Sequence, residues 1–98
     1  MKEFKKEKLE GIPELYETDG NPDKKAYIHF YNLLGQGDWY VCEKRETEDD
    51  VIFYGYVELL YNEWGYFSLN ELKTVPTIVY DTGFKPKPIN EIIKEKDN

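Results

Sequence analysis

The sequence predicts an α+β fold: a small antiparallel β-sheet, a meander of about four strands, with one or two short helices packed on one face. Three observations lead to this prediction. Aromatic residues make up 16% of the 98 residues whereas alanine occurs once, and this favours strands because large rings pack well on a pleated surface. Three apolar segments follow one another between residues 26 and 61, separated by short polar connections. A helix-start motif comes soon after them.

The three apolar segments are predicted strands at residues 26–34, 39–44 and 51–61. Their short connections favour antiparallel pairing. Gly55 interrupts the third segment, and a glycine inside a strand is typical of a bulge or of a close approach by another backbone. Alternation along the strands gives two faces. One face carries aliphatic side chains with phenylalanine and is the predicted core, and the other is rich in tyrosine.

The stretch EWGYFSLNEL, residues 63–72, predicts a corner where a strand passes into a helix. Ser68 followed by Glu71 has the spacing of a capping box, in which the hydroxyl accepts a hydrogen bond from a free backbone N–H of the first helical turn. The cap accounts for the single serine better than a nucleophilic role, which needs a tight elbow and a histidine base. Trp64 is predicted to be a wedge in the core at this corner, because a tryptophan buries a large area.

The predicted helix after Ser68 buries Leu69 and Leu72 and ends at Pro76. A fourth strand is predicted at residues 77–81. After two further prolines, a final helix would place three isoleucines on one side: Ile89, Ile92 and Ile93.

Length and terminal composition predict one domain over residues 1–98. Residues 1–10 are expected to form a short helix or a frayed N-terminal arm, and residues 94–98 a frayed tail, because both are strongly charged. No apolar segment of signal-peptide or membrane-spanning type occurs, so a cytoplasmic location without membrane association is expected.

Charge and cysteine content exclude several function classes. The net charge is −7, from 20 acidic and 13 basic residues, and Arg45 is the single arginine. Direct binding to nucleic acid is therefore not expected, because phosphate contacts need clustered lysine and arginine. The single cysteine, Cys42, rules out an internal disulfide and a multi-cysteine zinc site. No cofactor or metal is expected.

The tyrosine-rich face is the predicted partner-binding surface. Tyrosine is enriched at protein interfaces because its ring buries much area at a small entropic cost. The alternative, weighed equally, is that the terminal helices simply cover this face. With the acidic loop, the predicted partner-binding residues are Tyr27, Tyr31, Tyr40, Tyr54, Tyr56, Glu48, Asp49 and Asp50.

The acidic run from Glu46 to Asp50 is first interpreted as a solvated turn. It lacks the central glycine and the spaced aspartates of a calcium-binding loop. The same run could instead imitate the phosphates of a nucleic-acid strand towards a basic enzyme.

His29 and Cys42 form the one candidate for nucleophilic catalysis. If the hairpin turns over residues 34–38, these two residues would face each other across two strands. A thiol beside an imidazole is the minimum for a cysteine nucleophile. No oxyanion hole or glycine-rich helix start accompanies them, so two half-buried sheet residues are the preferred interpretation.

Five segments carry a resemblance to a known family: IPELYETDG, DWYVCEK, FYGYV, EWGYFSLNEL and YDTGFKPKPINEI. In this order they resemble a small prokaryotic domain family of unknown function, catalogue number 2958, over nearly the whole chain after Leu9. The resemblance implies a setting in bacteria, phages or plasmids, often near genes for DNA handling, and it implies no catalytic residues. The acidic ETEDD loop departs from the family pattern, which allows a partner specific to this chain.

The sequence thus predicts a small acidic, non-enzymatic binding or accessory protein, acting through a protein partner in a mobile-element or phage setting. One alternative is an inhibitor of a host nucleic-acid enzyme, of anti-restriction or anti-CRISPR type. Another is a small Cys/His enzyme.

Overall fold

The computed structural model describes Met1 and residues 4–96 and confirms the α+β class. Its main feature is a five-stranded antiparallel sheet. The strands are β2 (Ile28–Asn32), β3 (Asp38–Glu46), β4 (Val51–Glu58), β5 (Asn62–Ser68) and β6 (Ile78–Tyr80), in the spatial order β5-β4-β3-β2-β6. Strands β2 to β5 form a meander of consecutive hairpins, and β6 returns to pair with the free side of β2.

A smaller sheet and two α-helices complete the fold. The two-stranded sheet pairs β1 (Lys25–Ala26) with β7 (Lys87–Pro88). Helix α1 (Leu69–Lys73) follows β5 directly, and helix α2 (Ile89–Lys96) follows β7. The Ser68 hydroxyl accepts a hydrogen bond from the Glu71 backbone N–H at 3.1 Å, so the predicted cap is present.

The first core cluster lies on the face predicted from the aliphatic and phenylalanine side chains. Helix α1 contributes its two leucines to this cluster, as predicted. Trp39 from β3 joins it, and the partly buried Phe4 packs against its edge. The buried members are Leu9, Ile12, Ile28, Phe30, Trp39, Val41, Val51, Phe53, Val57, Phe67, Leu69, Leu72 and Ile78.

The second core cluster lies on the opposite face of the sheet, beneath α2. Its buried members are Ala26, Tyr40, Cys42, Tyr56, Ile89 and Ile92. The two helices therefore divide between the two faces, because each helix supplies the buried side chains of a different cluster. The helix over the tyrosine-rich face covers part of it and leaves the rest exposed.

A β-bulge in β3 shapes the centre of the sheet. The pairing of β3 with β4 shifts register between Val41 and Glu43, which leaves Cys42 as the extra residue. Gly55 pairs with Val41 at this point, and a Cβ built on Gly55 would lie 1.7 Å from the Tyr40 carbonyl oxygen. The close backbone approach predicted at Gly55 is thus confirmed.

The bounds of the predicted strands differ from those in the structure. The first segment is broken at Tyr27, and its residues 33 and 34 lie in a turn. The third strand ends at Glu58, and residues 59–61 form a tight turn that contains neither glycine nor proline. The stretch 63–72 passes from strand to helix after Ser68, as predicted, but its strand part is a separate strand, β5, that the sequence analysis did not predict.

The predicted pairing of His29 with Cys42 was also wrong. His29 pairs with Tyr40, and Ile28 pairs with Val41. The register follows from the connection over residues 33–37, which starts one residue earlier than the sequence interpretation assumed.

The charged ends of the chain contribute to the structure where it is described. Residues Lys6–Leu9 form a short 3-10 helix whose Leu9 is buried in the first cluster. Residues 94–96 of the predicted tail continue α2. Residues 2 and 3 of the predicted arm, and 97 and 98 of the tail, lie outside the described residues.

Candidate functional site

The exposed part of the tyrosine-rich face carries a group of aromatic rings on β4, β5 and a neighbouring loop. Cross-strand pairing places Tyr66 beside Tyr54 and Trp64 beside Tyr56. The ring centroids of Tyr54 and Trp64 are 5.8 Å apart with nearly parallel planes, and those of Tyr54 and Tyr66 are 5.0 Å apart. We call Tyr16, Tyr54, Trp64 and Tyr66 the aromatic surface.

The aromatic surface is open to solvent. Trp64 is 39% exposed and Tyr66 is 55% exposed. Trp64 is therefore not the core wedge predicted from the sequence. It stands on a strand at the border of the sheet, where its ring packs edge-on against Tyr56 at 5.5 Å instead of entering the core.

Tyr16 reaches this surface because a buried carboxylate fixes its loop. Glu43 is 2% exposed, and its oxygens accept hydrogen bonds from the backbone N–H groups of Tyr16 at 2.8 Å and of Thr18 at 3.0 Å. The Thr18 hydroxyl also donates to Glu43. Tyr16 has a φ of 73°, a left-handed conformation that is uncommon outside glycine. These hydrogen bonds hold the loop in that conformation.

The charge of Glu43 is stabilised in the folded protein. Burial alone would raise its pKa, but the hydrogen bonds from Thr18 and Tyr16, with the Lys24 ammonium 3.7 Å away, hold the pKa of Glu43 below its ordinary value. Glu43 is therefore a structural carboxylate that presents Tyr16 to the aromatic surface.

Neighbouring groups raise the pKa values of two tyrosines of the aromatic surface. A hydrogen bond with Tyr16 is the main cause that raises the pKa of Tyr66 to about 12, and the charge of Asp19 adds to it. Burial raises the pKa of Tyr54, with Glu43 and Asp19 contributing in the same direction. One of these rings forms a cation–π contact within the chain: the Arg45 guanidinium lies 5.7 Å from the Tyr16 ring centroid.

The five tyrosines predicted to bind a partner do not form one surface. Tyr40 and Tyr56 are buried in the second core cluster. Tyr27 packs against the first cluster, because the chain between β1 and β2 breaks the alternation of faces. Tyr31 is half-buried and lies against His29 at a ring distance of 5.5 Å. Of the five, Tyr54 belongs to the aromatic surface.

Sequence reasoning overlooked Tyr16, Trp64 and Tyr66. A signal for two of them was present: large rings at positions 64 and 66, two apart around a glycine, show the alternation of a strand with one exposed face. Tyr16 carried no comparable signal, because its place depends on the distant Glu43.

The acidic loop is divided in role. Glu48 and Asp49 are exposed. The Asp50 carboxylate accepts hydrogen bonds from the backbone N–H groups of Val51 at 2.7 Å and Asn70 at 3.0 Å, and so ties the loop to the start of α1. Burial works against the charge, but these bonds hold the pKa of Asp50 below its ordinary value.

His29 lies between two carboxylates. Its Nδ1 is 2.8 Å from Asp81 Oδ2, its Nε2 is 2.7 Å from Asp38 Oδ1, and its ring stacks on Tyr40 at 4.5 Å. Asp38 also pairs with Lys96 of α2 at 3.3 Å. The hydrogen bond with His29, together with Lys96, holds the pKa of Asp38 below its ordinary value although burial opposes this. With both ring nitrogens engaged, the imidazole links several elements and has no nitrogen free to serve as a general base.

Cys42 is 1% exposed beneath α2, and burial raises the pKa of its thiol to about 12. A nucleophilic cysteine needs the opposite environment, in which a nearby positive charge stabilises the thiolate. In the described conformation the thiol packs as a small apolar group.

A second exposed apolar region lies at the end of the sheet where two turns meet. A Cβ built on Gly37 in the first turn would lie 3.2 Å from Leu59 Cδ2 in the second. Its exposed side chains are Leu33, Leu34, Leu59, Leu60 and Tyr61. Leucine is under-represented among the residues that dominate binding energy, whereas tryptophan and tyrosine are enriched. The aromatic surface is therefore the stronger candidate.

Within the described residues, no group of three or more histidine, cysteine, aspartate or glutamate side chains is placed to hold a metal ion. Over the same residues, no helix is long and apolar enough to span a membrane. No protein-family model matches the chain, and neither a curated protein nor a solved structure shows significant similarity to it.

Proposed function

We propose that this chain is a small, acidic, non-enzymatic protein-binding module that takes its partner on the aromatic surface. The observation that carries the proposal is the group of contacting rings left open beside α2, with Trp64 and Tyr66 as its most prominent members. Rigid aromatic side chains bury a large area with little loss of rotamer freedom, which is why they dominate protein interfaces.

A protein partner explains this surface better than a nucleic acid. Exposed rings can stack on unpaired bases, but such sites combine the rings with a positively charged groove for the phosphates. Here the net charge is −7, and Asp19 acts on both Tyr54 and Tyr66. Negative charge around exposed rings favours a basic protein surface.

The buried thiol of Cys42 and the doubly engaged ring of His29 support a non-enzymatic role. The resemblance to the prokaryotic family described above supports an accessory role in a phage or other mobile element. A second candidate partner in that setting is a nucleic-acid enzyme whose basic groove the chain would block, and the net charge of −7 favours this candidate. Its binding should weaken steeply as salt is raised.

Affinity purification with the tagged full chain from the source cells, compared across variants, tests the proposal. Trp64→Ala with Tyr66→Ala removes both prominent rings, and recovery of the partner should fall by about tenfold or more, the loss typical of a binding hot spot. Tyr61→Ala is the matched control, because Tyr61 is an exposed tyrosine outside the aromatic surface. Equal recovery by the double variant and the wild type, with both folded by circular dichroism, would refute the proposal.

A further inference from the structure

The open edge of β5 adjoins the aromatic surface and has little of the usual protection, with Glu63 as its one charged residue. β5 is the outermost strand of the five-stranded sheet, and no other strand of the described residues pairs with its outer side. Its pairing with β4 runs without a register shift from Ser68 to Asn62. Natural edge strands are normally blunted by lysine, proline, a bulge, short length or a covering element. β5 contains neither lysine nor proline and is seven residues long.

The opposite edge of the sheet is different. β6 has only three residues, and the Phe4 ring packs on its Tyr80 at 5.3 Å. The β6 edge is therefore too short and too crowded to pair with a further strand, whereas the β5 edge remains available for pairing.

The outer side of β5 is available for such an addition, because no other strand in the described part of the chain pairs there. A new strand would lie about 4.8 Å from β5, and its alternate side chains would stand beside Trp64 and Tyr66.

The charge of this region decides which side chains fit there. The chain has a net charge of −7, and the one charged residue of β5 is the acidic Glu63, on the face opposite Trp64 and Tyr66. A lysine or arginine over an aromatic ring gains a cation–π interaction. The chain itself forms such contacts, since Arg45 lies over Tyr16 and Lys96 over Tyr40.

We infer that β5 accepts an extended segment of a basic partner as a sixth strand, with lysine or arginine at alternate positions over the aromatic surface. The inference rests on the proposed function and specifies how the partner binds. Backbone hydrogen bonds along the edge supply affinity, and the alternating cations supply specificity.

The test uses two synthetic peptides as long as β5: one alternates lysine with valine, and the other alternates glutamate with valine. Titration into the full-length protein, followed by two-dimensional amide NMR, should shift the signals of residues 62–68 with the lysine peptide. The glutamate peptide should bind at least about tenfold more weakly, since like charges are placed side by side. No binding by the lysine peptide, equal binding by both, or shifts centred elsewhere would overturn the inference.

Backbone methylation separates strand addition from simple charge attraction. In an added strand, the N–H groups of the lysines and those of the valines point to opposite edges. N-methylation of one set should therefore abolish binding, and N-methylation of the other should leave it within a few fold. If both methylated peptides bind, or neither does, strand addition is refuted.

Two outcomes separate this inference from the proposed function. If the cellular partner is captured through Trp64 and Tyr66 but the peptide results fail, the module binds by another mode. If sedimentation shows a dimer of this chain whose NMR signals change at residues 62–68, a second copy occupies the edge and the inference is overturned.

Discussion

Gly55 is the residue at which the sheet tolerates least change. The bulge at Cys42 brings the backbone of β3 so close to β4 that a methyl group on Gly55 would overlap the Tyr40 carbonyl oxygen. Glycine is needed at position 55 because it has no side chain, and not because of its backbone conformation, since Gly55 has no left-handed φ. Gly65 of β5, which pairs with Gly55 of β4, has open space around its Cβ position.

The two paired glycines give a matched prediction. Gly55→Ala should lower the free energy of unfolding by about 3 kcal/mol or more, because the new methyl group forces the bulge apart. Gly65→Ala should change it by no more than about 0.5 kcal/mol, as expected for a surface site with room. Urea unfolding followed by circular dichroism measures both. Similar losses in the two variants would show that the close approach at Gly55 has been misjudged.

A second residue-scale prediction concerns the carboxylate that holds Tyr16. Glu43→Gln should be less stable than the wild type by about 2 kcal/mol at pH 7, because the amide offers an N–H to backbone donors and carries no charge. The pKa of Glu43 is lowered by folding, so its stabilising effect is complete above the pKa of the unfolded side chain and is lost as the pH falls through the folded value.

The difference in the free energy of unfolding between Glu43→Gln and the wild type should therefore become smaller as the pH falls below about 4. Unfolding free energies measured from pH 7 to pH 2 give this comparison. Glu48→Gln is the control, since Glu48 is exposed and should show little difference at any pH. A gap that stays constant down to pH 2 would contradict the assigned role of the charge.

At the scale of elements, the sequence predicted what depends on local chemistry. The cap at Ser68, the two leucines of α1 and the isoleucine face of α2 follow from spacing along the chain.

Strand β5 was missed because its tryptophan, glycine and following capping box resemble a corner, and the turn before it has no glycine or proline. The register of the first hairpin could not be fixed either, because one residue of difference in the turn changes every pair. The aromatic surface then followed from tertiary structure: Tyr16 reaches it through Glu43, which is 27 residues away in the chain.

The start of α1 provides a prediction at this scale. Ser68→Ala removes the acceptor for the Glu71 N–H, and it should lower the free energy of unfolding by about 1 kcal/mol, as is typical of an N-cap. Ser68→Thr should restore part of the loss, because threonine keeps the hydroxyl acceptor, whereas aspartate would set a second carboxylate against Asp50. Thermal and urea unfolding measure the change. If the alanine variant is as stable as the wild type, the Asp50 carboxylate alone is sufficient to hold the helix start.

At the scale of the whole molecule, one sheet separates two cores that are covered in different ways. The first cluster is covered by α1 and the N-terminal segment, and the second by α2. Lys96 ties α2 to the sheet through Glu58 at 2.5 Å and Asp38 at 3.3 Å. Burial works against its charge, but the hydrogen bond with Glu58 and the nearby acidic groups raise the pKa of Lys96 above its ordinary value.

Because both cores share the same strands, they should unfold together. Ile92→Ala in α2 should cost about 2 to 4 kcal/mol through the cavity it leaves. In a Trp64→Phe background, the fluorescence of Trp39, which lies in the other core, should report the same shifted midpoint as far-UV circular dichroism. Lys94→Ala, on the exposed side of the same helix, is the control. Two separate transitions would show that α2 and its core form an independent unit.

Because Cys42 is the single cysteine of the chain and is buried beneath α2, the rate of its chemical labelling reports how often the molecule opens. A maleimide or a disulfide reagent can reach the Cys42 thiol only when α2 leaves the sheet. The labelling rate therefore measures how often α2 detaches. If α2 detaches by itself, Cys42 should be labelled much faster than the whole protein unfolds. If α2 leaves the sheet only on global unfolding, the labelling rate and the unfolding rate should agree. The same labelling rate, measured with the lysine peptide bound, would show whether a strand added at β5 changes how often α2 leaves the sheet.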